Sequence, residues 1–432
     1  MSDEASTRSS SPAELTPAGL AQESPERRPA PEGETTSWLR RGLLAAAVVA
    51  LGVWVSLPTL VVIAALIFMI FMHELGHYLT AKWAGMKVTE FFIGFGPRLW
   101  SFRRGETEYG FKAIPAGAYV RIIGMSNMEE VDPGDEGRTY RQKSYGRRMS
   151  VAVAGSTMHF LMAIALMFTI VSVVGTPAFD SSRWTVGAVG AGSAADAAGL
   201  QSGDRILAAD ANRFDSFREL SAYLRDHPGE RVNLLVRRGG QEMTVAATLG
   251  SSNDLGEPVG FLGVGAEFPT EREGPVAGAV ESVKTTGETM WLSIEALGSF
   301  FSPHGISGYV DTLTGSAPPT QPGQVDGENR LLSPVGAVRI ASEALSTSIA
   351  AILSFLFAIN VFIGVFNLTP LLPFDGGHVA VATYERLRSR KGKRYFADVS
   401  KLMPLTYAVV ALLLVVGLAG LYLDIVDPIS LR

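Results

Sequence analysis

Pro58-Thr59-Leu60-Val61-Val62-Ile63-Ala64-Ala65-Leu66-Ile67-Phe68-Met69-Ile70-Phe71-Met72 runs without a charged residue into His73-Glu74-Leu75-Gly76-His77. An apolar run of this length crosses a hydrocarbon layer of roughly 30 Å as a helix. Two imidazoles and a carboxylate closing such a run are expensive to place there, so they point to function. Positions i and i+4 of a helix share a face, so His73 and His77 can hold one metal ion between them. Glu74, beside the first ligand, is then placed to take a proton from water as general base.

The uncharged stretch begins earlier, at Gly42. A helix from there to the end of the motif, near Ala81, would be about 60 Å long, twice what one span needs. Pro58 marks a natural break. The reading is a first membrane helix over 41–57 and a second, carrying the motif, over 58–81. One long, tilted and kinked helix is the alternative. Further charge-free stretches, Val151–Phe179, Ser346–Leu372 and Leu402–Leu423, predict helices at 148–174 and 402–424, and over 344–376 a helix to about 368 followed by an irregular proline- and glycine-bearing segment. The fold class is therefore an α-helical polytopic membrane protein with about five spans.

The remaining segments are polar. Residues 1–40 are rich in Ser, Pro, Glu and Ala, and read as a disordered tail. Residues 82–147 contain β-like runs, among them 98–102 and 107–111 around a turn, and 118–123. Residues 183–250 alternate short strands with Gly turns and one amphipathic helix, the pattern of a small α+β domain. The rest, 251–343, reads as helix over 276–301 and a Pro- and Gly-rich linker over 313–330.

Basic residues orient the chain. Twelve lie in 82–148, six in 386–394, and Arg40-Arg41 precede the first span. Placing these in the cytoplasm puts the N-terminus inside and 175–340 outside. The net charge of −5 gives no reason to expect nucleic acid. There is no cysteine, so a metal must be held by His and carboxylates.

A catalytic zinc takes three protein ligands. The third candidate is Asp375, in Asn367-Leu368-Thr369-Pro370-Leu371-Leu372-Pro373-Phe374-Asp375-Gly376-Gly377-His378. His77 lies just before Lys82 and Asp375 shortly before the Arg386 cluster, so both reach the cytoplasmic side at one depth. The prolines break helical regularity, which is tolerated where backbone lines a cavity. An ordinary Asp-Gly-Gly turn after a span is the plainer alternative.

His73-Glu74-x-x-His77, Asn367-x-x-Pro370 leading to Asp375-Gly376-Gly377, Gly94-Phe95-Gly96-Pro97 and Ser333-Pro334-Val335-Gly336 together resemble the site-2 protease family of intramembrane zinc metalloproteases. More specifically, they resemble the bacterial group with a PDZ domain that includes the regulator of sigma-E protease. The resemblance covers about residues 58–424. It implies Zn²⁺ on His73, His77 and Asp375, with Glu74 as acid/base. It implies four core spans, with the 41–57 helix as an addition, and Asn360 and Asn367 holding an unwound substrate segment. It implies that the cytoplasmic-side β-rich stretch dips toward the lipid bilayer to pair with that segment. Gly192-Ser193-Ala194-Ala195 and Gly199–Ile206 resemble an extracytoplasmic PDZ domain that receives peptide C-termini.

The expected substrates are single-span membrane proteins already shortened by another protease, such as anti-sigma factors or signal-peptide remnants, in a bacterial plasma membrane. A non-catalytic PDZ scaffold is the competing reading; Glu74 and Asp375 argue against it, since binding alone needs neither.

One position departs from the family. Its Gly-Pro-x-x-Asn pattern is replaced here by Gly155-Ser156-Thr157-Met158-His159. His159 either takes the place of the amide beside the metal or faces the membrane. His378 either orients Asp375 from behind or faces the cytoplasm.

Overall fold

The computed structural model describes residues 56–125, 129–179, 181–253, 257–316, 333–389 and 393–426. These belong to one compact unit, Val55–Arg432. The tail over 1–40 and nearly all of the 41–57 helix lie outside the described residues, as does most of the 313–330 linker.

The first helix, α1, spans Leu57–Trp83. Ser56 caps it by accepting from the Thr59 amide at 3.4 Å, and Pro58 sits in the first turn, where its missing N–H costs nothing. It ends at Ala84 with Gly85 in the left-handed region at φ 69°, a C-terminal stop that glycine makes at no steric cost.

Strands β1 (Val88–Arg104) and β2 (Thr107–Ile122) follow. The 118–123 run is not a separate strand but the far half of β2. Both strands fold back on themselves: Phe91 pairs with Val120 on one side and Tyr109 on the other, while Phe102 also pairs with Tyr109. Gly94 and Gly96, at φ 91° and 81°, supply the bend in β1 that side-chain-bearing residues would resist.

The predicted single helix over 148–174 is two. Helix α2 is Tyr145–Ala152 and α3 is Ala154–Phe168, continued by wider π-type turns over Thr169–Val174. The short α2 is polar, carrying Arg147 and Arg148, and packs on a later helix rather than extending the span. Helices α1 and α3 meet at Gly76, where a Cβ would fall 2.6 Å from Met158 Cγ and 2.7 Å from the Ala154 carbonyl oxygen. Small residues allow such contact between membrane helices. Gly76→Leu is expected to drive α1 from α3 and lower the thermal unfolding midpoint by about 5 °C or more; an unchanged midpoint would contradict this packing.

A small β-rich region comes next: β3 (Thr176–Pro177), β4 (Thr185–Val189), α4 (Ala194–Ala197), β5 (Arg205–Ala209), β6 (Asn212–Arg213), α5 (Phe217–Arg225), β7 (Arg231–Arg238), β8 (Gln241–Thr248), β9 (Val264–Glu267) and β10 (Thr270–Glu271). Strands β6-β5-β7-β8 form one antiparallel sheet, β4 pairs with β9, and β3 with β10. Trp184, Val186, Ile206, Leu220, Leu234 and Val236 are its buried core, joined by Leu262 and by partly buried Val264 and Phe268. That core extends past 250, because β9 completes the pair with β4.

Within this region Asp204, buried, accepts from both ends of the Arg238 guanidinium at 2.7 Å. Arg238 holds the Asp204 carboxyl below its ordinary range. A depressed folded-state value means the bond stabilises fully above the unfolded value of about 3.9 and fades as acid passes through the folded one. Asp204→Ala is therefore expected to lower the unfolding midpoint at pH 7 more than at pH 3. Equal loss at both pH values would exclude the ion pair as the cause.

The last helices are α6 (Pro275–Phe300), α7 (Pro303–Thr314), α8 (Pro334–Thr347), α9 (Ile349–Asn367), α10 (Asp375–Arg388) and α11 (Met403–Val426). The predicted start of a span at 344 falls inside α8; α9 begins afresh after Ser348, whose hydroxyl accepts from the Ala351 amide at 3.0 Å. Among the described residues four helices are long and apolar enough to cross a membrane: Leu57–Trp83, Ala154–Val174, Ile349–Asn367 and Val399–Val426. Ala163 of α3 packs with Phe357, Val361 and Val365 of α9, and Met290 and Leu297 of α6 lie against them.

Candidate metal centre and active site

His73 and His77 stand one turn apart near the end of α1, with their Nε2 atoms 3.2 Å apart. Asp375 is the first residue of α10, not part of an irregular turn. Its Oδ2 lies 3.2 Å from His77 Nε2 and 3.4 Å from His73 Nε2. Tetrahedral donors at zinc distances of 2.0–2.1 Å lie roughly 3.3–3.4 Å from one another. Three acceptor atoms this close repel unless a metal ion or a shared proton lies among them. The donor set and its spacing thus fit Zn²⁺, and among the described residues no other such group of three occurs.

The chain brings Asp375 here by a close return. Glycines 376 and 377 have no room for a side chain: a Cβ would fall 2.2 Å from the Leu368 carbonyl oxygen and 2.6 Å from the Leu372 amide nitrogen respectively. That packing presses the start of α10 against the loop that leaves α9.

Neighbours fix the ring orientations. His77 Nδ1 lies 2.8 Å from the Val151 carbonyl oxygen. A carbonyl only accepts, so Nδ1 carries the proton and Nε2 presents its lone pair inward. Gly155 supplies the space. A Cβ there would lie 2.3 Å from His73 Cε1 and 2.5 Å from both Nε2 atoms. Glu74 is outside the donor trio, half-buried, and faces the backbone of Val120 on β2.

The other candidates differ. His159 is buried, with its ring centroid 5.1 Å from that of His73. It therefore faces the site and not the membrane. Its Nδ1 is 3.0 Å from Asn360 Oδ1, and the Asn360 amide donates to the Leu356 carbonyl at 2.8 Å. Asn360 thus bridges His159 and the backbone of its own helix. Asn367 is half-buried at the last residue of α9. His378 packs edge-on against Tyr140 with centroids 6.2 Å apart, and no hydrogen bond joins it to Asp375 among the described residues.

Sequence reasoning missed the Val151 carbonyl, which no side chain advertises, and the ion pair of Arg148 with Glu385, whose partners lie 237 positions apart. Gly155 did carry a signal, as the glycine that opens the Gly155–His159 stretch where the family pattern changes.

The sequence profile of peptidase family M50 matches residues 61–414. The zinc metalloprotease Rip1 of Mycobacterium tuberculosis is 35% identical over 406 residues, covering 85% of this chain and 96% of the relative. Rip1 of Mycolicibacterium smegmatis is 33% identical, covering 85% and 97%. Likeness along almost the whole length, a histidine pair and an aspartate converging at zinc spacing, and four membrane-length helices lead to one conclusion: the chain belongs to peptidase family M50, the site-2 protease type of zinc metalloendopeptidase.

Proposed function

We propose that this chain cuts single-span membrane proteins within or at the edge of the bilayer, with His73, His77 and Asp375 as zinc ligands and Glu74 as general base. The observation that carries the reading is the meeting of two Nε2 atoms and one Oδ2 within 3.4 Å, from helices 298 positions apart, at the end of an apolar span.

Zinc there supplies positive charge that polarises a peptide carbonyl and acidifies water. The protein does the rest. The Val151 carbonyl keeps the His77 Nε2 lone pair turned inward, and Gly155 leaves room for both rings. Glu74 takes the proton of the attacking water and returns it to the departing amine. A helical substrate hides its carbonyls in its own hydrogen bonds, so it must unwind and find new partners. In this reading the β1–β2 sheet and Asn367 provide them. Asn360 already bonds His159 and the Leu356 carbonyl, and we assign it to holding His159 over His73.

In this reading β1–β2 lie on the cytoplasmic side and the region of β4–β9 outside, an orientation that the basic residues of 82–148 and 386–394 favour. The outer region is a PDZ domain in this reading. Strand β9 is paired with β4 along one edge, and the other edge can receive a peptide C-terminus. Substrates fitting this arrangement are anti-sigma factors or signal-peptide remnants already shortened on the outside.

The test is direct. In proteoliposomes with a shortened single-span substrate, one internal cut is expected, abolished by 1,10-phenanthroline and restored by zinc. Cleavage that persists in chelator would sink the proposal. Membranes of cells lacking the protein should accumulate truncated single-span proteins.

A further inference from the structure

We propose that α2 is a bracket holding the two halves of the metal site at their working distance, with the Arg148–Glu385 ion pair as its clasp. Arg148 and Glu385 are thus positioning residues, and the proposal rests on the ligand reading above. One half of the site is on α1 and the other opens α10, and nothing in the covalent chain between them is short. Helix α2 touches both. Its Val151 carbonyl accepts a hydrogen bond from His77 Nδ1–H at 2.8 Å. Three residues earlier, Arg148 reaches Glu385 Oε2 at 2.5 Å, with both side chains less than a tenth exposed.

Glu385 lies on α10, ten residues after Asp375 and about 15 Å along the helix. An α-helix is stiff over that length, so fixing Glu385 fixes the direction in which Asp375 starts. The clasp is reinforced. Glu385 Oε1 accepts from the Ala397 amide at 2.7 Å, so both carboxylate oxygens are engaged. Tyr145 Oη lies 3.3 Å from Thr383 Oγ1, and Arg394 donates to the Gln142 and Lys143 carbonyls at 3.0 and 2.6 Å. The Tyr145 and Arg394 ties run between α2 or the residues just before it and α10 or the residues just after it, while the Ala397 amide holds the Glu385 carboxylate in place.

A buried ion pair is a poor source of stability; apolar residues of similar volume often do as well or better. What it supplies is direction. Apolar packing would tolerate rotation of α10 about its axis, and one residue of rotation, roughly 100°, would turn Asp375 away from the imidazoles.

The experiment uses the full chain in detergent and reads three quantities: zinc affinity by competition with a chromophoric chelator, the visible spectrum of the cobalt-substituted protein, and the thermal unfolding midpoint. Wild type should bind zinc and His77→Ala should not; if these two behave alike, the ligand reading fails, which is a separate outcome. In Arg148→Met/Glu385→Leu, the midpoint should stay within a few degrees while zinc affinity drops about 10–100-fold, the usual effect of losing a residue that orients a ligand. The cobalt spectrum should change with it. Arg148→Lys, which keeps the charge but not the forked geometry, should lie between. Wild-type affinity and spectrum in the double variant would overturn the proposal. If the double variant does not fold, Arg148→Lys decides: weakened zinc binding at an unchanged midpoint supports the bracket, and unaltered binding overturns it.

Discussion

Glu74→Gln is expected to keep its zinc and lose its cleavage. The amide has the shape of the carboxylate but cannot take a proton, and removing a general base of this kind lowers turnover by about 10²–10⁴-fold. Zinc content should be untouched, because Glu74 is not among the three donors that converge: those are His73, His77 and Asp375. The check is metal analysis of the purified variant beside its cleavage of a co-expressed single-span substrate. Undiminished cleavage would remove Glu74 from the mechanism. Loss of zinc together with activity would make it a ligand instead.

The second large effect is expected from a single methyl group. Gly155→Ala would place a carbon 2.3 Å from His73 Cε1 and 2.5 Å from the Nε2 atoms of His73 and His77. Non-bonded carbons want 3.5–4.0 Å, so something must move. His77 is tied to Val151, and α3 is packed against α1 at Gly76. The imidazoles are therefore expected to turn aside. Disturbing a residue that merely orients a ligand costs about 10–100-fold in metal affinity, and displacing the ligands themselves should exceed the upper figure. Gly287→Ala is the control, since a Cβ there meets nothing within 4 Å. Chelator competition on both variants, with circular dichroism to confirm retained helix, is the measurement. Equal zinc affinity in the two would refute the role of Gly155.

Much of the site was visible before any coordinates. The spacing of His73 and His77 is local: a helix puts i and i+4 on one face whatever surrounds it. The apolar run before them sets the membrane environment through length alone. Asp375 needed a depth argument, since its distance from the histidines in sequence carries no geometric information. The sequence leaves His159 between two orientations, because period and composition do not say which side of a buried helix meets the site. Its bond to Asn360 comes from packing α3 on α9.

The fold was legible in the same uneven way. Long apolar runs announced themselves. The division at Val153, the folding-back of β1 and β2, and the extension of the small domain's core to β9 did not. Each depends on pairing between distant residues, and alternation alone cannot tell a strand that continues from one that begins again.

By itself, then, the amino-acid sequence determined the membrane class, the histidine pair with its glutamate, and the absence of thiolate ligands, because each follows from local period, run length or composition. Only the tertiary structure decided that Asp375 opens a helix 3.2 Å from His77, that Gly155 leaves the space for both rings, and that Arg148 reaches Glu385. Those are distances between parts of the chain far apart in sequence. They are set by how helices pack, and packing is a property of all the side chains at once.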